Sequence, residues 1–256
     1  MGQFCPPGSA NGTYCPPGTY LNVTGGRTEA DCQTCVQGSY CAGYGNVQPT
    51  GPCDAGYYCP VGMNISSPAE YTCPIGHYCS ASGSHEPIRC LSGTYQDETG
   101  QGSCKTCPSG YYCDNVKNPV VLYNDSLCPP GHYCPDGTKF AMEYRCPRGT
   151  FSNATGVQNI TGCQDCPGGY FCDQEAQTEY SKICQAGYFC RRRAVSGTPS
   201  QGQDADLCPE GHYCPSQTSE PENCPPGTFS NLTGLTSRDQ CLNCTPGFYC
   251  AETNLT

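Results

Sequence analysis

The sequence lacks the residues from which a conventional hydrophobic core is built. It has no tryptophan, 3 methionines and 7 phenylalanines in 256 residues. No stretch is long and apolar enough to cross a lipid bilayer, and no window places apolar residues at helical spacing. Because proline or glycine falls every few residues, we expect little helix and no conventional core.

Charged residues are also scarce, and basic residues are fewest. The chain has 12 lysines and arginines against 22 aspartates and glutamates, which gives a net charge of −10. The acidic residues are scattered, so the charge favours solubility and disfavours nucleic acid or an anionic membrane as a partner. The exception is the arginine run at residues 191–193, which is either a solvated loop or a processing site for a protease that cuts at basic residues.

Cysteine, in contrast, is abundant, with 27 residues beside 32 glycines and 24 prolines. One seven-residue stretch, which we call the turn motif, has the form Cys-x-x-Gly-x-aromatic-Cys and recurs about every 19 residues, which predicts a repeat architecture. Nine short copies contain the whole motif, with the cysteines Cys35 and Cys41, Cys53 and Cys59, Cys73 and Cys79, Cys107 and Cys113, Cys128 and Cys134, Cys166 and Cys172, Cys184 and Cys190, Cys208 and Cys214, and Cys244 and Cys250. Four long copies begin in the same way but delay their second cysteine, with the cysteines Cys15 and Cys32, Cys90 and Cys104, Cys146 and Cys163, and Cys224 and Cys241.

The thirteen copies use 26 cysteines and leave Cys5 over. Gly2 and Phe4 stand where a turn motif has its glycine and aromatic residue, so we expect Cys5 to end a further motif and to pair outside this chain. Each disulfide typically contributes about 2–4 kcal/mol, so disulfides can replace a core. Such a composition belongs to an oxidising compartment, and we expect a secreted or cell-surface protein.

The predicted fold is a series of small disulfide-rich repeats, mostly irregular, with short β-hairpins and little helix. Repeats of this size need their neighbours, so we expect an elongated rod of units of about 19 residues in which each unit contacts the next. The division by copies is a partial repeat at 1–14, then segments 15–89, 90–145 and 146–223, each a long copy followed by short copies, and a truncated array at 224–256. The glycine of the turn motif is expected to take a positive φ. The aromatic residues that follow it, such as Tyr40, Tyr58, Tyr112, Phe171 and Tyr249, are expected to cover disulfides.

Both ends of the sequence carry repeat features. The residues after Met1 continue directly into a cysteine repeat, without the charged and apolar segments of a signal peptide. Neither end shows a distinct terminal repeat of the kind that caps repeat arrays. We therefore expect these residues to be part of a longer array, or to pack against a neighbouring protomer at each end.

Nine of the thirteen asparagines begin an Asn-x-Ser/Thr sequon, which indicates glycosylated loops in a secreted protein. Three of them, in long copies, stand seven residues after the first cysteine, and Asp97 takes this position in the remaining long copy, which begins at Cys90. Asn243 is set apart because Cys244 occupies the middle of its sequon and a disulfide there would restrict access. The nine are Asn11, Asn22, Asn64, Asn124, Asn153, Asn159, Asn231, Asn243 and Asn254.

The sequence gives little indication of a metal, redox or catalytic site. Four Cys-x-x-Cys pairs arise only where a long copy meets a short one, so they do not indicate a zinc or redox centre. His77, His132 and His212 share one motif position that other copies fill with Ser, Tyr or Phe, which is typical of an exposed polar position rather than a metal site. Asp97, Glu98, Asp204 and Asp206 match no calcium loop. No catalytic motif is present, so we predict no enzyme, metal or cofactor, apart from N-linked glycans.

The run from Cys224 to Cys250 resembles the ephrin-receptor-like cysteine-rich repeat, a family similar in appearance to EGF-like and TNF-receptor-like modules. The resemblance extends over nearly the whole chain and implies an extracellular, disulfide-bonded, elongated protein. Similarity to TNF-receptor-like modules would imply that Cys15 pairs with Cys32 and that the next short copies cross, Cys35 to Cys53 and Cys41 to Cys59. That crossing leaves four cysteines over after the first and third long copies, to pair internally or otherwise: Cys73, Cys79, Cys208 and Cys214.

Two functions remain open at this point. The first is a structural repeat of an extracellular fibre, flagellar hair, cell wall or matrix that assembles with copies of itself, head to tail or laterally. The second is the ectodomain stalk of a receptor or adhesion protein that binds other extracellular proteins or glycans. The apolar run at residues 120–123 is the best candidate contact patch, with loop packing as its alternative.

Overall fold

The fold consists of very short strands in repeated hairpins, in a computed structural model that describes residues 1–80, 83–200 and 205–250. Eighteen strands in these residues form nine antiparallel pairs, and helix is limited to four single 3-10 turns. The prediction of short hairpins with little helix is therefore confirmed. The paired strands are β1 Gln3–Phe4 with β2 Thr13–Tyr14, β3 Thr19–Tyr20 with β4 Gln33–Thr34, β5 Ser39–Tyr40 with β6 Gly51–Pro52, β7 His77–Tyr78 with β8 Ile88–Arg89, β9 Thr94–Tyr95 with β10 Lys105–Thr106, β11 Thr150–Phe151 with β12 Gln164–Asp165, β13 Tyr188–Cys190 with β14 Ala205–Leu207, β15 His212–Tyr213 with β16 Glu222–Asn223, and β17 Thr228–Phe229 with β18 Leu242–Asn243. The 3-10 turns are Glu29–Asp31, Ala69–Tyr71, Ile160–Gly162 and Arg238–Gln240.

Each hairpin joins one turn motif to the residues that precede the next. The first strand is the aromatic residue of the motif with the residue before it, and the second lies immediately before the first cysteine of the next motif, as in Thr19↔Thr34 and Tyr20↔Gln33. Where no strand is formed, the same pairing persists as a single bridge: Tyr57↔Thr72, Tyr111↔Leu127, His132↔Arg145 and Tyr170↔Ile183. The pairing register is therefore the same from copy to copy.

Three backbone hydrogen bonds connect each turn motif to the following copy. In the copy that begins at Cys166, the N–H of Gly169 donates to the carbonyl of Cys190 at 2.7 Å, and the N–H of Cys184 donates to the carbonyl of Gly169 at 2.9 Å. The N–H of Cys172 donates to the carbonyl of Ala194, in the loop after the next motif, at 2.9 Å. The same three bonds recur along the chain. We call this set the ladder.

The glycine of the turn motif is also a point of very close approach. Gly187 has a φ of +87°, and a Cβ there would lie 2.8 Å from the carbonyl oxygen of Gly234. Gly234 belongs to the second copy further along the chain, so contacts reach past the nearest neighbour. The expectation that each repeat contacts only the next is wrong, because the loop after a turn motif folds back over the motif two copies earlier.

Every copy closes its own disulfide, so all 26 cysteines assigned to copies are bonded. The Cα–Cα distances are 5.6 to 6.0 Å, within the usual range for a disulfide. In the long copies the bonds are Cys15 to Cys32, Cys90 to Cys104, Cys146 to Cys163 and Cys224 to Cys241. In the short copies they are Cys35 to Cys41, Cys53 to Cys59, Cys73 to Cys79, Cys107 to Cys113, Cys128 to Cys134, Cys166 to Cys172, Cys184 to Cys190, Cys208 to Cys214 and Cys244 to Cys250.

The crossed pairing that TNF-receptor-like modules would imply is not found. The turn at the motif glycine already brings Cys35 and Cys41 within bonding distance, 5.8 Å between Cα atoms, so Cys35 does not reach to Cys53. The four cysteines that crossing would leave over close in the same way as the rest, Cys73 with Cys79 and Cys208 with Cys214. Cys5 is exposed and is the one unpaired cysteine.

The chain divides into two units, each with small cores built around disulfides. The first contains 1–108, 112–126 and 136–140, and the second contains 109–111, 127–135 and 141–256. Phe4 and Leu21 pack on Cys15 in the first unit. In the second, Phe151 packs on Cys166 and Cys172. These sulfur-centred clusters replace the aliphatic core that the composition lacks.

The aromatic residues of the turn motifs are covered by residues that follow them in the chain. Tyr58 packs edge-on against Tyr71, 5.3 Å between ring centroids, and Phe171 packs on the disulfide of Cys184 and Cys190. Tyr249 does not conform to this prediction, since it is 89% exposed. The residues that pack on the aromatic side chain of a motif follow that motif in the chain. For Tyr249 these would come after Cys250, and they lie outside the described residues.

Candidate glycan-bearing surface

The sequon asparagines lie on the surface. All eight that fall in the described residues are exposed, and Asn254 lies outside them. Asn243 is exposed as well, although the neighbouring Cys244 is half-buried in its disulfide. Exposure of the asparagine is the first requirement for attachment of a glycan.

The ladder explains why three sequons of the long copies face outward. The residue before each asparagine takes the place that the second motif cysteine has in short copies, and Leu21, Ser152 and Ser230 are each 1% exposed there. The N–H of Leu21 donates to the carbonyl of Asn46, and its carbonyl accepts from the N–H of Gly2. Because successive side chains of an extended backbone point to opposite sides, the next residue, Asn22, is directed to solvent.

The long copy that begins at Cys90 has an ion pair at the same position. Lys105 Nζ lies 2.7 Å from a carboxylate oxygen of Asp97 and 3.1 Å from one of Glu98. The hydrogen bond from Lys105 lowers the pKa of Asp97, and the bonds to Asp97 and Glu98 raise the pKa of Lys105 to about 12. Lys105 therefore balances one of the two negative charges and is shared by both carboxylates. Asp204, another of the acidic residues considered as calcium ligands, lies outside the described residues.

Asn159 has a structural role beside its sequon. It is the N-cap of the 3-10 turn Ile160–Gly162, where its side-chain oxygen accepts from the N–H of Thr161 at 3.1 Å and from the Thr161 hydroxyl. Thr28 and Ser237 hold the N-cap position of the corresponding turns in two other long copies. Capping uses Oδ1 and leaves Nδ2, the atom that carries an N-linked glycan, out of these bonds.

The apolar run at 120–123 packs against the preceding copies. The Tyr123 ring lies 4.9 Å from the Tyr95 ring, and the carbonyl of Val120 accepts from the N–H of Gln96. A Cβ placed on Gly76 would lie 3.3 Å from Val121. Leu122 is 57% exposed, so most of the run serves loop packing and little of it is available as a contact patch.

The arginine run is held by ion pairs, a ring contact and a backbone hydrogen bond. Arg191 lies 3.1 Å from the Glu220 carboxylate and 5.4 Å from the centroid of the Phe189 ring. Arg193 has a φ of +66°, at a loop position usually held by glycine, and its N–H donates to the carbonyl of Cys166 at 2.9 Å. Its guanidinium lies 3.4 Å from Asp165. These contacts hold the backbone and disfavour the protease-site interpretation.

The three motif histidines do not converge. Each has Nδ1 within 2.7 to 3.1 Å of the carbonyl two residues earlier, at Ile75, Pro130 and Glu210. His132 is 7% exposed, so the prediction of an exposed position is wrong for this copy. No group of three or more histidines, cysteines, aspartates or glutamates is arranged for a metal ion in the part of the chain that the structure describes.

No family model matches the sequence. The chain is 31% identical over 67% of its length to the human protein "Signal peptide, CUB and EGF-like domain-containing protein 2", and covers 15% of that protein. It is 27% identical over 77% of its length to rat "Sushi, von Willebrand factor type A, EGF and pentraxin domain-containing protein 1", covering 5% of it. "Cysteine repeat modular protein B" of Toxoplasma gondii is 27% identical over 53% of the chain, which covers 2% of it.

The chain thus spans a small fraction of the length of the relatives that it matches. With its thirteen disulfides, it is an extracellular, disulfide-rich protein of cysteine repeats with EGF-like relatives, as the cysteine content predicts. Helices able to span a membrane do not occur among residues 1–80, 83–200 and 205–250.

Proposed function

We propose that this chain is a non-enzymatic structural spacer of an extracellular fibre, flagellar hair, cell wall or matrix, and that it carries N-linked glycans. The observation that supports this function is the repetition of one ladder in copy after copy. The bonds from Gly2 to Leu21, from Gly110 to Cys134 and from Gly211 to Ser230 join equivalent atoms. An arrangement that is repeated evenly suits a load-bearing or spacing role better than a single binding site.

The glycan coat is tested by glycopeptide mapping of the native protein. Asn22, Asn153 and Asn231 follow equivalent buried residues and are all exposed, so we expect them to be occupied together. Three bare asparagines would contradict the glycosylated spacer.

The partner proposed for the spacer is a further copy of the same chain, head to tail or lateral. Cys5 supports the lateral arrangement rather than the head-to-tail one. It is the unpaired, exposed cysteine of each chain, so in an oxidising compartment two chains can form a disulfide only between their two Cys5 thiols. We expect native material to run as a disulfide-linked dimer on non-reducing gels and the Cys5→Ser variant to run as a monomer. A native protein that is monomeric, with a free Cys5 thiol, would contradict this.

The second candidate is the ectodomain stalk of a receptor or adhesion protein. It is favoured by the names of the relatives, which describe large proteins of several modules, of which the chain matches 15% or less. Negative-stain images of native material distinguish the two functions. Fibres support the structural spacer, and discrete particles support the stalk.

At the level of family, we propose an ephrin-receptor-like repeat. Its support is the motif of residues 224–250 together with the closure of each disulfide within its own copy. Similarity to TNF-receptor-like modules would imply crossed pairs. Disulfide mapping by non-reducing peptide analysis tests this, because a Cys35 to Cys53 bond would favour the TNF-receptor-like arrangement.

A further inference from the structure

Tyr180 stands out among the aromatic side chains because two other rings hold it while much of it stays exposed. Its centroid lies 4.9 Å from that of Phe151 and 5.1 Å from that of Tyr170, with interplanar angles of 64° and 74°. Tyr170 is itself fixed, since its hydroxyl accepts from Gln217 Nε2 at 2.6 Å. Edge-to-face packing of this kind orients a ring, yet Tyr180 is 42% exposed.

An open hollow of about 430 Å³ lies beside this ring. Its size is in the range of small-ligand sites. Its walls combine apolar surface with polar groups, and one wall is the sequon asparagine of the long copy. The lining residues are Pro130, Phe151, Asn153, Thr178, Glu179 and Tyr180.

A sugar attached to Asn153 matches the chemistry of this hollow. One face of a pyranose is made of C–H groups, which pack on the electron-rich face of an aromatic ring, and its hydroxyls can donate to the Glu179 carboxylate. Because the sugar is bonded to a wall residue, it is held there at a high effective concentration and little further entropy is lost on packing. We propose that the first sugar of a glycan on Asn153 packs on Tyr180 in this hollow, an inference that rests on the glycosylation proposed above.

Two other long copies provide matched comparisons. Tyr180 stands three residues after Gln177, whose carbonyl accepts from the N–H of Ser152. The long copy that contains Asp97 has the equivalent bond, from the N–H of Gln96 to the carbonyl of Val120, and Tyr123 stands three residues after Val120. The Tyr123 ring packs on the Tyr95 ring, with 4.9 Å between centroids and an interplanar angle of 67°. That copy has the tyrosine but no sequon.

The Asn22 copy has the opposite combination. The carbonyl of Asn46 accepts from the N–H of Leu21, so the position of the tyrosine is taken by Pro49. This copy has the sequon but no ring at that position. We therefore expect a first sugar on Asn153 to pack on a tyrosine ring at this position, and a first sugar on Asn22 to lack such a ring.

The test uses the secreted, glycosylated full chain, with each glycan trimmed to its first sugar by an endoglycosidase. NMR spectra then report the chemical shifts of the sugar protons at Asn153 and Asn22. We expect upfield ring-current shifts at Asn153 and none at Asn22. Tyr180→Ala should abolish the shifts at Asn153, and Tyr180→Phe, which keeps the ring and its packing, should retain them.

A gain-of-function variant keeps the proposal testable if Tyr180→Ala fails to fold. Asp97→Asn creates an Asn-Glu-Thr sequon beside Tyr123. The sugar added there should show the same upfield shifts, and the additional change Tyr123→Ala should remove them. Unshifted sugar protons at an occupied Asn153 would overturn this inference alone. A bare Asn153 would overturn it as well, and bare Asn22, Asn153 and Asn231 would overturn it together with the proposed glycosylation.

Discussion

Short and long copies differ at the residue that follows the aromatic residue of the turn motif. Together the two kinds of copy show which features of this residue, backbone or side chain, are the same in every copy. In short copies this residue is a disulfide cysteine, such as Cys190. In long copies it is Leu21, Gln96, Ser152 or Ser230, all buried. Cys190 and Ser152 nevertheless make the same two ladder bonds, through N–H and carbonyl. The backbone bonds are therefore constant, whereas the side chain can be a disulfide, an aliphatic group or a polar group.

The largest effect is expected where the motif glycine lies close to the loop that packs on it. Gly187→Ala forces a side chain into a positive φ, at about 1–2 kcal/mol, and drives its Cβ against the Gly234 carbonyl, at a further 1–3 kcal/mol or so. Gly8→Ala is the control, because Gly8 has a φ of +84° but open space around it. Secretion yield and urea unfolding should be affected much more by Gly187→Ala. Equal losses would mean that the close approach contributes nothing.

Removing whole disulfides tests the difference between the two kinds of copy. Cys146 and Cys163 are 17 residues apart, whereas Cys184 and Cys190 are 6 apart. Loop-closure entropy predicts a loss of roughly 3 kcal/mol for the Cys146→Ala/Cys163→Ala variant and roughly 2.4 kcal/mol for Cys184→Ala/Cys190→Ala. Urea denaturation measures both. A larger loss for the short copy would show that packing around its sulfurs outweighs chain entropy.

The polar residues that stand in place of the second motif cysteine should differ in how much stability their side chains contribute. Gln96 Nε2 donates to the carbonyl of Ser103 at 2.7 Å, and its Oε1 accepts from the N–H of Glu98 at 3.1 Å. Gln96→Ala leaves these groups unpaired and should cost about 1–3 kcal/mol. The buried Ser152 hydroxyl has no hydrogen-bond partner among the described residues, so Ser152→Ala should cost about 0 kcal/mol. A marked loss on Ser152→Ala in urea unfolding would contradict this.

A small effect is expected for the ion pair that stands in place of a sequon. The lowered pKa of Asp97 means that its contribution is present above about pH 4, its unfolded pKa, and is lost as the pH falls through the lower folded value. The raised pKa of Lys105 adds a contribution below about pH 10 that is lost as the pH approaches 12. The difference in urea midpoint between the native protein and Asp97→Ala should therefore vanish in strong acid. A difference that persists at about pH 2, below the usual carboxyl pKa, would point to packing instead.

Much of the repeat could be predicted from local sequence. A glycine three residues after a cysteine reverses the chain and, as in Cys128–Cys134, brings the seventh residue to 5.8 Å between Cα atoms. The hairpins follow from the same turn, and the disulfide-rich repeat fold was predicted correctly. The sequons of Asn22 and Asn153 indicate surface loops. The turns and the disulfides depend on residues close together in the chain.

Local patterns alone were therefore enough to define the copies and the cysteine membership of each, and the sequons predicted surface loops. Which copy contacts which was set by the folded chain, because those contacts join residues far apart in the sequence and the spacing of the motifs does not show which loop lies on which motif. The approach of Gly234 to Gly187, the positive φ of Arg193 and the burial of His132 are of this kind. So is the hollow beside Tyr180, whose walls come from three successive copies.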